Sequence, residues 1–298
     1  MPLFSKYSQS FNAYCRRFLT LPRKLIAYID SHSFGYFAGL FTVLIAIIAL
    51  MLPSAYVVEE PGPTQDVLGE ISNVPVIQLN TKKGKRAKEH RDTGKLLMLT
   101  VNTSGVPGYE VPTYYALISW MNPERILIPR EAIVPVGQTA DEYDKESTQE
   151  MDNSQNLAET VALEYASKHL KINTSNVKVR LRIEDIGGPS AGMMYTLGIL
   201  DKLTPEKETG GKTISGTGTI EKSHKIGAIG GIKLKMIAAK RDGATWFLAP
   251  YDNCDEVVGN VPEGLSVVSV KTIDDAYKAL KAIGSGKGTN KLPTCKVE

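Results

Sequence analysis

The sequence feature that most limits the fold is an uncharged apolar run near the N-terminus. Residues 34–52 (FGYFAGLFTVLIAIIALML) hold 19 consecutive residues without a charged side chain. A helix of about 20 apolar residues spans the hydrocarbon core of a bilayer, so we predict a transmembrane anchor over residues 34–53. The alternative is a cleaved signal peptide. Against it, residues 1–33 are long for the segment that precedes a signal core, and Pro53 disfavours cleavage nearby.

The distribution of charge predicts the orientation of this anchor. Residues 1–33 contain five basic residues and one acidic residue, whereas the remainder contains 30 basic and 31 acidic residues. Basic segments beside a membrane span stay in the cytoplasm, so we expect everything after the anchor to lie outside the cell, in a single-pass topology. The balanced charge of this outer part gives no indication of nucleic-acid binding. Residues 7–29 fit either an amphipathic helix on the inner leaflet or a solvated tail.

The positions of the three cysteines agree with this topology. Cys15 would be cytoplasmic, while Cys254 and Cys295 would lie outside, where a disulfide can persist. Two exported cysteines allow one pairing, which would attach the tail 284–298 to the preceding domain. Two unpaired thiols remain the alternative.

Beyond the anchor, strand and helix patterns are intermixed, which favours an α+β fold of small mixed sheets and helices. The order lacks the regular alternation of a doubly wound sheet. We divide this part into a β-rich region 54–140, a domain 141–283 and the tail 284–298. The pattern predicts strands at 76–80, 96–103, 177–183, 213–220, 245–250 and 265–270, and helices at 113–121, 141–170, 191–203, 230–243 and 272–283.

A basic segment, residues 82–91 (KKGKRAKEHR), separates the first two predicted strands. Such a segment is typical of a solvated hairpin tip between strands 76–80 and 96–103. The alternative is a contact with an acidic surface polymer or a lipid head group.

The stretch DIGGPSAGMM, residues 185–194, places a serine between a predicted strand and a predicted helix. Glycines allow a tight turn and the close approach of a substrate chain. A serine at a helix start lies among unpaired N–H groups that can stabilise an oxyanion. Ser190 is therefore a candidate nucleophile, with Gly188, Pro189 and Ala191 as the candidate oxyanion and substrate loop. The alternative is a helix-capping serine in a simple turn.

Three groups are candidates for the base that would accept the proton of Ser190. GPSAG fits the nucleophile elbow of α/β-hydrolases, but the one histidine that follows, His224, lies only 34 positions on in a polar stretch. Ser175 and Lys178 have the S-x-x-K spacing, yet they lead into a strand. In the helix 230–243, Lys235 falls on the apolar face and Lys233 on a face that can be solvated. Burial lowers the pKa of a lysine, which a lysine base requires. Two ordinary solvated lysines remain the alternative from the helix pattern alone.

Several motifs in order resemble the proteolytic domain of the Lon family. GGPSAG, GTGTI at 216–220 and IGGIKLKMIAAKRDGA at 229–244 are similar to that family's motifs, over about residues 177–280. The resemblance implies that Ser190 is the nucleophile, that Lys235 is its partner, and that Thr217 orients the lysine.

A narrower resemblance concerns the anchor followed by YVVEEPGPTQDVLG at 56–69. This combination is similar to the membrane-anchored, extracytoplasmic Lon-like proteases of Gram-positive bacteria, and the dipeptide NC at 253–254 and the tail LPTC resemble actinobacterial members. These relatives carry a PDZ domain before the protease strand. Here the gap is KINTSN, residues 171–176, which is too short for one.

The resemblance implies an ATP-independent serine endopeptidase that cleaves extracytoplasmic proteins or peptides. The closest P-loop spelling, EKETGGKT at 206–213, lacks the first glycine of that motif, so we expect no ATP. We also expect no cofactor and no metal, because the spacing of His, Cys and carboxylate residues gives no ligand set. Whether the chain forms a homo-oligomer is left open by the sequence. A catalytically weak scaffold that binds surface proteins or peptides is the alternative function.

Overall fold

The computed structural model describes residues 27–28, 30–85, 87–90, 92–182 and 187–296. Most of the segment 7–29, together with Cys15 and Asp185, lies outside the described residues. The chain divides into two units, one of residues 1–53 with 112–114 and one of residues 54–111 with 115–298.

In the first unit, α1 (Phe34–Met51) is, among the described residues, the one helix long and apolar enough to cross a membrane; an N-terminal signal sequence meets the same criterion. The residues that follow α1 are fixed by main-chain pairing within the unit. The carbonyl of Leu52 accepts hydrogen bonds from the N–H and the Oγ1 of Thr113, at 2.9 and 3.0 Å. The structure thus agrees with an apolar N-terminal helix.

The elements after α1 follow the sequence pattern closely. The strands are β1 (Tyr56–Asp66), β2 (Glu70–Ile71), β3 (Val74–Pro75), β4 (Ile77–Thr81), β5 (Lys95–Ser104), β6 (Ile126–Pro129), β7 (Val177–Leu181), β8 (Thr213–Gly216), β9 (Thr219–Ile220), β10 (Ile226–Gly227), β11 (Trp246–Pro250) and β12 (Ser266–Val270). The helices are α2 (Thr113–Trp120), α3 (Ala140–Lys168), α4 (Gly192–Leu203), α5 (Ile232–Arg241), α6 (Cys254–Val257) and α7 (Ile273–Ser285), with short 3-10 turns at Arg130–Ala132, Tyr251–Asn253 and Thr289–Lys291.

A six-stranded mixed sheet in the order β12-β11-β8-β5-β1-β6 organises the second unit. Strands β12, β11, β8 and β5 run parallel to one another, while β1 is antiparallel to both β5 and β6. Three two-stranded sheets, β9 with β10, β2 with β3 and β4 with β7, complete the α/β arrangement. The large sheet therefore takes strands from both sides of residue 140.

The two faces of the large sheet carry separate hydrophobic cores. Alternate residues of a strand point to opposite faces, and β5 shows this directly. Leu96 and Met98 pack into a core with α3, α4 and α7, whereas Leu97 and Leu99 pack into a core with α5. All twelve residues of α4 are buried, so this helix fills the first core. Each large apolar side chain buried there contributes about 2 kcal/mol.

The predicted hairpin around the basic segment 82–91 is wrong. Strand β4 pairs antiparallel with β7, while β5 pairs with β1 and β8. Both β4 and β5 contact α4, but the two strands belong to different sheets and do not pair with each other. Lys82, Lys83 and Lys85 are exposed in the turn after β4, as expected for a solvated segment.

Candidate active site

The turn that carries Ser190 follows β7, precedes α4 and is held against α3. Gly188 adopts φ +83°, a left-handed conformation that glycine takes at no steric cost. The carbonyl of Pro189 accepts a hydrogen bond of 3.0 Å from the hydroxyl of Ser154 in α3. Ser190 then lies two residues before the first residue of α4. The turn thus holds the serine at the N-terminal end of a wholly buried helix.

The end of α4 at Ser190 packs too closely for any residue but glycine at position 192. A Cβ atom on Gly192 would lie 2.7 Å from the Cγ2 of Ile220 and 3.1 Å from its backbone nitrogen. Among the described residues, no acceptor is bonded to the N–H of Ser190 or to that of Ala191. Free N–H groups at the positive end of a helix are suited to stabilise negative charge.

The segment 213–220 is not one strand, as the sequence pattern predicts, but two short strands with a break at Thr217 and Gly218. The break turns both residues towards the nucleophile. The Oγ1 of Thr217 donates a hydrogen bond of 3.1 Å to the carbonyl of Ser190, and the N–H of Gly218 donates one of 2.8 Å to the same oxygen. The hydroxyl of Thr217 and the N–H of Gly218 thus fix the backbone of Ser190, while the N–H of Thr217 still bonds to the carbonyl of Leu248 in β11.

Lys235 is buried in α5, on the helix face that the sequence pattern indicates. Lys235 is 2% exposed, whereas Lys233 is partly exposed. The Nζ atom of Lys235 lies 3.4 Å from the Oγ1 of Thr217, which is its hydrogen-bond acceptor. Burial lowers the pKa of Lys235 from 10.5 to about 8, and attraction to Glu59 opposes this shift in part. A substantial fraction of Lys235 is therefore neutral near pH 8.

Two residues that sequence reasoning did not assign support this lysine. Glu59, in β1, is buried, and burial raises the pKa of its carboxyl group while the charge of Lys235 lowers it. Asn253 is 2% exposed and forms two hydrogen bonds with the backbone of Ile229, of 2.9 and 3.0 Å. These bonds fix the loop that leads into α5. In the sequence, Asn253 resembles an ordinary turn residue. Only the fold shows that its side-chain amide is buried.

A single cavity of about 600 Å³ is lined by both Ser190 and Lys235. Its wall also includes Val101 from β5 and Tyr143 and Glu150 from α3. The Ser190 hydroxyl and the Lys235 amine are not hydrogen-bonded to each other in this state. Catalytic hydrogen bonds are often long without substrate and shorten when it binds. The cavity can thus bring a peptide carbonyl, a hydroxyl and a neutral amine together.

Residues 138–282 match the family model of the Lon protease (S16) C-terminal proteolytic domain. The chain contains a Lon protease proteolytic domain. The curated relatives that match this chain are also named as Lon proteases. Lon protease of Buchnera aphidicola is 37% identical over 94 residues, covering 30% of this chain and 12% of that protein. Lon protease of Clostridioides difficile is 36% identical over 94 residues, 30% of this chain and 12% of that protein.

A mitochondrial Lon protease homolog of Candida glabrata is 31% identical over 150 residues, which are 47% of this chain and 14% of that protein. The chain thus spans about an eighth of the length of these relatives. The mixed α/β arrangement fits the matched family.

Within this Lon protease domain, the other predicted bases lie apart from Ser190. The imidazole of His224 lies 3.7 Å from a carboxylate oxygen of Glu164 in α3. The hydroxyl of Ser175 donates to Asn173 within its own loop, and Lys178 is exposed on β7. None of these three side chains lines the 600 Å³ cavity.

Cys254 and Cys295 form a disulfide at the edge of the Lon protease domain. The backbone of the tail is held as well, because the N–H of Ser269 donates a hydrogen bond of 2.9 Å to the carbonyl of Pro293. Cys254 follows directly after Asn253, so the tail is joined to the turn that supports the loop before α5.

Proposed function

We propose that this protein is a membrane-anchored, ATP-independent serine endopeptidase that uses a Ser190–Lys235 dyad. The observation that carries the proposal is a buried lysine, with its pKa lowered to about 8, in the same cavity as a serine at a helix start. A serine hydroxyl is a weak nucleophile until a neighbouring base removes its proton. The neutral amine of a buried lysine in the same cavity is such a base.

The first half of the reaction forms an acyl-enzyme. As the Oγ of Ser190 attacks the peptide carbonyl carbon, its proton passes to the neutral Nζ of Lys235. The peptide C–N bond then breaks, and the resulting ammonium of Lys235 gives the proton to the leaving amine. Thr217 is a positioning residue, because its hydroxyl contacts the Nζ of Lys235 and also bonds to the backbone of Ser190.

The second half of the reaction hydrolyses the ester. Lys235, again neutral, takes a proton from water as the water oxygen adds to the acyl carbon. The C–O bond to Ser190 then breaks, and the ammonium of Lys235 returns the proton to the Oγ of Ser190. In both halves, negative charge develops on the carbonyl oxygen. The N–H groups of Ser190 and Ala191, at the start of α4, supply donors for this oxyanion, and Gly188 and Pro189 shape the loop beside it.

Independence from ATP is supported by the contacts of two buried residues in the P-loop-like segment 206–213. Glu208 and Thr209 are buried, and the N–H of Thr209 donates a hydrogen bond of 2.7 Å to a carboxylate oxygen of Asp92. A phosphate-binding loop presents such N–H groups to its ligand. We therefore propose that added ATP does not change the cleavage rate.

We place the catalytic domain outside the cell. The basic segment 1–33 before α1 supports a cytoplasmic N-terminus, and Cys254–Cys295 supports an oxidising location for the domain. Only residues 169–176 separate α3 from β7, so a PDZ domain of the kind found in Gram-positive, including actinobacterial, relatives is not inserted there. The substrates we propose are unstructured extracytoplasmic proteins or peptides.

The dyad is tested by cleavage of unfolded casein with the full chain in detergent. We expect Ser190→Ala to lower kcat/KM by about 10⁴-fold or more, because the covalent step is lost. His224→Ala is the control, and we expect it to retain activity. Loss of cleavage in His224→Ala, with retention in Ser190→Ala, would contradict the dyad.

The alternative function, a catalytically weak scaffold for surface proteins or peptides, predicts a different result. The wild-type chain would then neither cleave casein nor react with a serine-directed fluorophosphonate probe. It would still bind peptides, and the Ser190→Ala variant would bind them equally well.

The pH profile gives a separate prediction. Because Lys235 acts in its neutral form and has a pKa of about 8, we expect kcat/KM to rise with pH and to be half-maximal near pH 8. The Glu59→Gln substitution removes a negative charge that raises the pKa of Lys235, so its midpoint should lie at lower pH. Glu60→Gln, one residue along β1, is the matched control. An identical midpoint in all three proteins would show that Glu59 does not act on Lys235.

A further inference from the structure

Three carboxylates meet at the end of α4 that is far from Ser190. Asp201 belongs to the last turn of α4, Glu208 to the loop before β8, and Asp92 to the segment before β5. One carboxylate oxygen from each lies within 4.8 Å of those from the other two. Asp201 comes nine residues after the first residue of α4, so the cluster is about 14 Å along the helix from the candidate active site.

Backbone N–H groups fix the position of Asp92 in this cluster. One of its carboxylate oxygens accepts hydrogen bonds from the N–H groups of Thr93 and Gly94, and the other accepts one of 2.7 Å from the N–H of Thr209. The segment before β5 is thereby held against the loop that contains Glu208.

Glu208 and Asp201 are buried and only partly satisfied. They are 3% and 1% exposed, respectively. One oxygen of Glu208 accepts hydrogen bonds from the hydroxyls of Thr204 and Tyr277. With all described residues considered, no donor reaches the Oε2 of Glu208 or the Oδ2 of Asp201. A buried carboxylate oxygen without a donor is strongly unfavourable, so a ligand of opposite charge is indicated.

The position of Asp201 in α4 increases this need. The C-terminal end of a helix carries partial negative charge, so a carboxylate in the last turn is repelled by the helix as well as by its two acidic neighbours. A proton could neutralise part of the cluster, since burial and the neighbouring carboxylates raise the pKa of Asp201 to about 9. A cation could neutralise more of it and also supply the missing partners of both oxygens.

A second cavity gives access to the cluster. It has a volume of about 200 Å³, and Asp92 and Asp201 line it together with Glu70, Glu89 and His90. Lys202 also lines this cavity and donates a hydrogen bond of 3.4 Å to the carbonyl of Leu68. The space exceeds what an ion with several bound waters occupies.

We infer that Asp92, Asp201 and Glu208 bind one hard divalent cation, with Ca²⁺ preferred over Mg²⁺. The ligands are all carboxylate oxygens, which both ions accept. Ca²⁺ accepts irregular arrangements of oxygen ligands, whereas Mg²⁺ demands near-ideal octahedral geometry and keeps several of its waters. Three carboxylates from three separate segments, with oxygens that all lie within 4.8 Å of one another, therefore suit Ca²⁺ better.

The bound ion would join three segments that are distant in the chain. These are the segment before β5, the end of α4 and the loop before β8. Its effect is therefore on stability, and it does not depend on the proposed proteolysis.

The test uses the full chain in detergent after removal of metals with EDTA. We expect calorimetric titration to give one Ca²⁺ per chain, and saturating Ca²⁺ to raise Tm by about 5 °C. Asp201→Asn keeps the size of the side chain but removes its charge. We expect this variant to bind Ca²⁺ at least about tenfold more weakly and to lose the Ca²⁺-dependent rise in Tm. In EDTA its Tm should equal or exceed that of the wild type, because repulsion between carboxylates is reduced.

Glu263→Gln, which changes an exposed loop carboxylate, is the matched control and should bind Ca²⁺ like the wild type. If Asp201→Asn fails to fold, Glu208→Gln and Asp92→Asn provide the same comparison. No binding of Ca²⁺ or Mg²⁺ by the wild type at about 10 mM would overturn the inference, since weak extracellular calcium sites fill below that concentration. Binding that survives all three substitutions would also overturn it, and a preference for Mg²⁺ would overturn the assignment to Ca²⁺.

Discussion

The substitution Lys235→Met is expected to abolish most activity while making the protein more stable. Loss of the base should lower kcat/KM by about 10³-fold or more. The pKa of Lys235 is about 8 in the folded protein and 10.5 without burial. Below pH 8 the side chain must therefore be charged in a buried site, which costs about 3 kcal/mol of folding free energy. Methionine fills a similar volume without this cost, so at pH 7 we expect Tm to rise by about 6 °C.

The pH dependence of this gain follows from proton binding. Between pH 8 and 10.5 the unfolded state binds more protons at Lys235 than the folded state, so the wild type becomes more stable as pH rises through this window. The difference between Lys235→Met and wild type should be largest below pH 8 and should disappear near pH 10.5.

Thermal unfolding followed by circular dichroism measures this difference in stability. Lys233→Met, on the same helix but at a partly exposed position, is the control and should change neither Tm nor kcat/KM appreciably. If the Tm of Lys235→Met at pH 7 is lower than that of the wild type, the buried charge of Lys235 does not destabilise the folded protein as we expect.

Removal of the disulfide is expected to have the second large effect. The bond joins residues 41 positions apart. In the chain-entropy account, a cross-link over a loop of this length stabilises the folded state by about 4 kcal/mol. We expect Cys254→Ser with Cys295→Ser to lower Tm by about 10 °C. Casein cleavage well below Tm should persist, because the hydrogen bonds of Asn253 to the loop before α5 do not involve either sulfur.

Cys15→Ser is the control for this experiment, because it removes a cysteine that is not part of the bond. A reducing agent should lower the Tm of the wild type and of Cys15→Ser, but not that of the double variant. An unchanged Tm in the double variant would mean that the tail is held by other contacts, such as the hydrogen bond between Ser269 and Pro293.

Structural features that depend on residues close together in the chain are predicted well from the sequence. The apolar face of 230–243 predicted that Lys235, and not Lys233, is buried. The helix predicted at 272–283 is found as α7, which begins directly after Thr272. The hydroxyl of Thr272 accepts a hydrogen bond from the N–H of Asp275. Such features depend on side chains within one or two helical turns, which periodicity reports directly.

Features that depend on distant pairing could not be predicted in this way. The order of the strands in the sequence suggested a β4–β5 hairpin, but β4 pairs with the distant strand β7, and β5 pairs with β1 and β8. The break at Thr217 follows from bonds to Ser190, which lies 27 positions earlier. The same holds for Asp92, Asp201 and Glu208, which no spacing rule associates because they come from three separate segments.

The position of β5 inside the large sheet also determines when that sheet can be completed. Each paired residue of β5 precedes its partner in β8 by 118 positions, as with Lys95 opposite Thr213. A growing chain that has reached only α3 can hold β1 against β5, but the other edge of β5 remains open. Open strand edges pair readily with other chains, and pairing over long distances is slow. The yield of folded protein therefore depends on how that edge is protected until residue 216 has been made.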